Sequence, residues 1–197
     1  METKRQHPAR ALEGKSASPI VRAMADFQQL KVLYRQGWLR AGVPREQCES
    51  VAEHSMGVAM LSLFLADSFF PQLDRTKILL LALLHDFGEI YAGDIVPGKM
   101  SLAEKHQLEL AAVERVLAPL PKGAEYLAVW NEYEASQTPE AVLVKQVDRL
   151  EMAFQAANYE HEAFAVLSDF FDSTDRALSD PELRRVFDEL LALRPAR

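Results

Sequence analysis

Four side chains in this 197-residue sequence make a set that can close around one divalent cation: His54, the adjacent pair His85-Asp86, and Asp148. Each falls in a stretch whose neighbours are apolar at helical spacing. A polar group on an apolar helix face costs free energy unless something satisfies it. One divalent cation satisfies all four together, and a cation with open positions for water is hydrolase equipment. Two imidazoles with carboxylates suit manganese, cobalt, iron, nickel, zinc or copper better than magnesium or calcium, which prefer oxygen shells. Taken singly, His54 reads as a core histidine bonded to a carbonyl. The combination carries the inference.

The neighbouring residues extend it. Glu89 follows His85 by four positions, and Asp94 follows Gly93, which permits a tight turn. Both acids are candidates to attend an attacking water; as isolated residues they read equally as solvated loop acids. Arg35, near a helix end, reads on position alone as an ordinary surface arginine.

The elements that must position these groups are helices. Val21, Met24, Phe27, Leu30 and Tyr34 recur at three- and four-residue spacing, predicting a helix from Pro19 or Ile20 that Gly37 ends. A second runs from about Ser50 to Phe70, with Val51, His54, Val58, Leu61 and Leu65 on one stripe and Pro71 as its stop. Asp74 caps a third, from Arg75 to about Phe87, apolar nearly all round and therefore central. His85 and Asp86 close that helix, where unsatisfied carbonyls and local unwinding let neighbouring residues reach one point. Residues 88–98 read as a loop. Ser101 with Glu104 opens a helix to about Ala118, Thr138-Pro139 a long one carrying Asp148, and Asp180-Pro181 a last one. With no period-two alternation and no repeat, the expected architecture is an all-α, single-domain bundle of six or more helices spanning residues 19–195. Residues 1–18 are expected to form a disordered tail. Met and Phe positions at helical spacing are expected in the core, and His106 and His161 in solvent.

Composition sets the bounds. At 49% hydrophobic and 26% charged the chain is ordinary for a soluble globular protein. Its net charge of -7 argues against a nucleic-acid polymer or membrane surface as partner. No apolar run approaches the roughly 20 residues that span a bilayer. Cys48 is the only cysteine, so no internal disulfide forms, which fits a reducing, cytoplasmic setting. Cys48 itself reads as a small, partly buried side chain.

The order H…HD…D resembles that of the HD-domain metal-dependent phosphohydrolases. Further elements are similar to the 5′-deoxynucleotidase branch of that superfamily: Leu30 to Trp38, Glu49 to Ser55, His85-Asp86-Phe87-Gly88-Glu89, Gly93-Asp94-Ile95-Val96-Pro97, Trp130 to Glu134, and Val144 to Asp148. The resemblance implies metal ligands at His54, His85, Asp86 and Asp148, catalytic acids at Glu89 and Asp94, and a phosphate-binding Arg35. It implies hydrolysis of deoxyribonucleoside 5′-monophosphates, and a homodimer. Gln36 and Gly37 separate Arg35 from Trp38, and no role is assigned to Trp38, Glu132 or Glu134. A cyclic nucleotide, guanosine tetraphosphate or a nucleoside triphosphate is the alternative substrate, and a nucleotide-binding module without turnover is the alternative of another class.

Overall fold

The computed structural model describes residues 1–96 and 98–195; Pro97, the last residue of the Gly93 element, lies outside them. The described residues are helical with no extended strand; two isolated β-bridges join Thr3 to Leu33 and Tyr34 to Ser50. In chain order the helices are α1 (Pro19–Phe27), α2 (Gln36–Arg40), α3 (Val51–Phe69), α4 (Arg75–Leu84), α5 (Glu89–Ala92), α6 (Leu102–Leu117), α7 (Gly123–Ala135), α8 (Pro139–His161), α9 (Ser168–Ala177) and α10 (Pro181–Ala192). This is the all-α, single-domain bundle expected from periodicity.

α3, α4 and α8 pack on one another and form the centre. Their buried faces carry Val58, Leu65, Ile78, Leu81, Val144, Val147 and Leu150. α7 lies on α4 and α8, while α9 and α10 lie on α8. A second apolar cluster, with Leu30, Leu33, Val51, Ile90, Val113 and Trp130, joins α5 and α6 to the rest. Gly88 permits this junction: a Cβ there would lie 2.5 Å from that of Glu109 on α6. None of these helices is long and apolar enough to cross a membrane.

The chemistry-bearing helices start where their caps dictate. Ser50 caps α3 in a reciprocal box: its hydroxyl accepts from the Glu53 amide (3.3 Å), and Glu53 accepts from the Ser50 amide (2.6 Å). Asp74 accepts from Thr76 and Lys77 at the head of α4, and Thr138 accepts from Ala141 at the head of α8.

Several expectations need correction. The first helix ends at Phe27, ten residues before Gly37, and Gly37 lies inside α2. Between them the chain turns tightly, with Leu30 donating to Phe27 (3.0 Å) and Val32 to Gln29 (3.0 Å), which brings Leu30 and Leu33 into the second cluster. α5 occupies the start of the expected 88–98 loop, and α7 and α9 are additional helices. Met24, Met56, Met60 and Phe64 are exposed rather than in the core. His106 is only half-exposed: it stacks on Trp130 at 5.5 Å and meets Glu134 at 3.2 Å. Residues 1–18, expected as a tail, are placed on the body. Lys4 donates to the Val32 carbonyl (2.6 Å), Glu2 and Gln36 exchange two hydrogen bonds, and His7 stacks on Tyr91. The Lys4 contact satisfies a carbonyl that the 28–34 turns leave open.

Candidate functional site

α4 ends at Leu84, and His85 is its C-cap. The chain then makes successive tight turns, with Glu89 donating to the Asp86 carbonyl (3.0 Å), so His85 and Asp86 leave the helix toward a common point. The His85 ring is fixed: Nδ1–H donates to the Ala82 carbonyl at 2.7 Å. A carbonyl only accepts, so Nδ1 carries the proton and Nε2 is turned into the site. Trp130 clamps the same turn by donating to the His85 carbonyl (3.2 Å).

His54, one turn into α3, is 1% exposed. Its Nε2 lies 3.1 Å from Asp148 Oδ1 and 3.9 Å from Asp86 Oδ2, while Asp86 Oδ2 is 3.3 Å from His85 Nε2. Ligand atoms of His54, His85 and Asp86 all lie within 4.8 Å of one another, close enough to share one cation. Asp148, from α8, joins this group through His54, and Tyr133 donates to its other oxygen (3.4 Å). The structure thus brings together all four residues that the sequence singled out, from α3, the α4–α5 turn and α8.

A test of fit for a cation lies in the atoms left over. His85 Nε2, Asp86 Oδ2 and Glu89 Oε2 are buried and have no hydrogen-bond partner. Buried polar atoms are ordinarily satisfied. Here three unsatisfied atoms belong to residues of one turn, beside the His54 nitrogen. The set of imidazoles and carboxylates fits a divalent transition metal.

Arg35, the N-cap of α2, is 16% exposed in its side chain; its Nη1 lies 3.6 Å from Asp86 and 3.9 Å from Asp94. Asp94 also accepts from the Gln36 amide at 2.5 Å, so it ties the start of α2 to the turn after α5. Gly93 makes that turn with φ of +82°, a region costly for other residues.

The electrostatics are those of a crowded acidic site. Burial opposes the Arg35 charge, but Asp94 and Asp86 outweigh it and raise its pKa. Burial works against ionised Asp86 and Asp148 as well; histidines and arginines win, and both are held below the usual carboxylate range. Burial and the Arg35 charge depress His54, yet hydrogen bonds to Asp148 and Glu151 carry it up to about 10. Glu89 goes the other way: burial, then Asp86 and Asp94, raise it well above a normal glutamate.

Some residues that build the site were not singled out from the sequence. Glu151 lies 2.6 Å from His54 Nδ1. Its spacing of three from Asp148 puts both on one helix face, which was the available clue. Glu49 accepts from the Trp38 indole at 2.8 Å. Trp38 is itself buried, stacked on Phe170 at 4.2 Å, and so is a core residue. Glu132 pairs with Lys77 (2.6 Å), while Glu134 faces His106 and Lys145.

Residues 27–184 match the HD domain family. The chain is 34% identical over 194 residues to the 5′-deoxynucleotidase HDDC2 of Bos taurus, covering 96% of this chain and 92% of that protein. It is 38% identical over 159 residues to the HDDC2 protein of Dictyostelium discoideum, covering 74% and 83%. The crystal structure of the PH0347 protein of Pyrococcus horikoshii OT3 matches with a TM-score of 0.74 at 30% identity, over 88% of this chain and 99% of that one. The matched span runs from the turn before Arg35 to beyond Glu151 and so contains the whole cluster. On sequence and architecture together, the chain belongs to the HD-domain family.

Proposed function

We propose that this chain is a metal-dependent 5′-deoxynucleotidase, which hydrolyses deoxyribonucleoside 5′-monophosphates to deoxynucleoside and phosphate. The observation that carries the reading is the convergence of His85 Nε2, Asp86 Oδ2 and Glu89 Oε2, buried and without a hydrogen bond, beside His54 and Arg35. The relatives named 5′-deoxynucleotidase, at 33–38% identity, supply the substrate class.

His54, His85, Asp86 and Asp148 would hold one divalent cation. When bound, such a cation neutralises phosphate charge and makes water acidic enough to be a nucleophile near neutral pH. Arg35 grips two oxygens of the phosphate dianion and keeps it in line for attack, the main demand of phosphoryl transfer. Glu89 either orients the attacking water or gives a proton to the leaving 5′-oxygen. Asp94 stands as the second acid; its contacts with Arg35 and the Gln36 amide also hold the phosphate grip in place. A cation of the manganese, cobalt, iron, nickel, zinc or copper group fits the donor set better than magnesium.

We also propose a cytoplasmic homodimer. Met56, Met60 and Phe64 repeat every four residues along α3 and are each at least two-fifths exposed, forming an apolar stripe suited to a second copy. Sedimentation of Phe64→Glu beside the wild type tests this: the expected result is a wild-type dimer and a monomeric variant.

The experiment for the activity is orthophosphate release from a panel of deoxy- and ribonucleoside mono- and triphosphates, cyclic nucleotides and guanosine tetraphosphate. The protein is stripped and then reloaded with Mn, Co, Zn or Mg. Release from deoxyribonucleoside monophosphates, restored by a transition metal, is the expected result. Pyrophosphate release or ring opening would move the chain to another substrate class, and binding without turnover would make it a binding module.

A further inference from the structure

The His54 ring is engaged at both nitrogens. Nε2 faces Asp148 and Asp86, and Nδ1 lies 2.6 Å from Oε2 of Glu151. Asp148 and Glu151 are three residues apart on α8, so one helix face supplies both contacts. The Glu151 side chain is 12% exposed, and Glu49 completes a trio whose candidate ligand atoms lie within 4.8 Å of one another. Glu49 is occupied by the Trp38 indole N–H, which makes this trio a support for the ring rather than a second cation site.

A second observation is independent of hydrogen bonding. Gly57 stands in the middle of α3, three residues after His54. Glycine there costs about 1 kcal/mol relative to alanine. A Cβ at Gly57 would overlap a Glu151 carboxylate oxygen and lie 2.9 Å from its Cδ. The glycine clears the space that this carboxylate fills.

We propose that Glu151 is a positioning residue: it accepts the Nδ1 proton of His54 and so presents Nε2 to the cation, with Gly57 making room for it. The inference rests on the reading of His54 as a metal ligand. His85 follows the same logic with the Ala82 carbonyl in place of a carboxylate. Outer carboxylates of this kind fix the tautomer and orientation of a ligand histidine.

The test is calorimetric titration of the metal-stripped full chain with Co2+, for the wild type, Glu151→Ala, Glu151→Gln and Gly57→Ala. Expected are one Co2+ bound by the wild type and affinity weakened about 10–100-fold in Glu151→Ala and Gly57→Ala. Glu151→Gln, which keeps an acceptor oxygen, recovers most of the affinity. With Co2+ saturating, kcat falls in the weakened variants while KM for the monophosphate stays at the wild-type value. Gly57→Ala removes no polar group and favours the helix, so it decides the matter even if Glu151→Ala does not fold. Wild-type Co2+ affinity in Glu151→Ala, or in Gly57→Ala should Glu151→Ala not fold, would overturn the positioning role. A wild type that binds no Co2+ would instead remove the metal reading, and this inference with it.

Discussion

Arg35 offers the sharpest quantitative prediction. Its guanidinium is held between Asp86 (3.6 Å) and Asp94 (3.9 Å), with 16% of the side chain exposed. A phosphate arriving there would meet a guanidinium whose Nη1 two carboxylates already hold, so less ordering is left to do. Each charge-assisted hydrogen bond contributes about 1.5–3 kcal/mol. Arg35→Ala forfeits two, for a loss of at least about 3 kcal/mol, which is roughly 100-fold in kcat/KM. Arg35→Lys keeps the charge but makes a single-point contact, and its loss is about 1.5 kcal/mol, or roughly tenfold. Part of each loss falls on KM, because phosphate is held before as well as during the reaction. The assay is orthophosphate release from a deoxyribonucleoside monophosphate at saturating Mn2+ or Co2+, run below the melting temperature of each variant. A kcat/KM for Arg35→Ala within about threefold of the wild type would refute the phosphate grip, since so small a change is less than one charged bond.

Other consequences follow from the same geometry. Glu89→Gln should lower kcat by about 10²–10⁴-fold, the range of general acid–base assistance, with the fold intact by circular dichroism; a drop below threefold would remove Glu89 from the chemistry. Ser50→Ala breaks the capping box that starts α3, at a cost of about 1 kcal/mol. Thermal unfolding should then show Tm lower by roughly 2–4 °C, and an unchanged Tm would contradict the cap's contribution. The Cys48 thiol is pushed up to about 12, first by burial and then by Glu49. The thiol therefore stays protonated at neutral pH, and the thiolate fraction grows with pH up to that value. Alkylation of the folded protein should be slow at pH 7.5 and rise steeply between pH 8 and 11; rapid stoichiometric labelling at pH 7.5 contradicts this.

What was legible in the sequence divides along physical lines. The His54, His85, Asp86 and Asp148 set stood out because each member is polar within an apolar helical pattern, and such groups need partners. The caps at Asp74, Ser101, Thr138 and Asp180 were legible because capping is local, and the starts of α4, α6, α8 and α10 followed from them. The end of α1 was not. Apolar spacing continues through Phe27, Leu30 and Tyr34 with no Pro or Gly before Gly37, and tertiary packing of Leu30 and Leu33 ends the helix instead. The stripe of Met56, Met60 and Phe64 obeys helical spacing as faithfully as a core face does, since periodicity marks an apolar face without saying what covers it. Glu151 and Gly57 went unnoticed because their meaning is a contact between α3 and α8. Asp94 was read as a catalytic acid set by the Gly93 turn, and only the fold reveals its hold on Arg35 and the start of α2.

The account turns on a single cation among four side chains, and anomalous diffraction from crystals of the Mn- or Zn-loaded protein tests it most directly. It predicts one strong peak about 2.0–2.3 Å from His54 Nε2, His85 Nε2, an Asp86 oxygen and an Asp148 oxygen. A peak bound elsewhere, or none there at saturating metal, would contradict it.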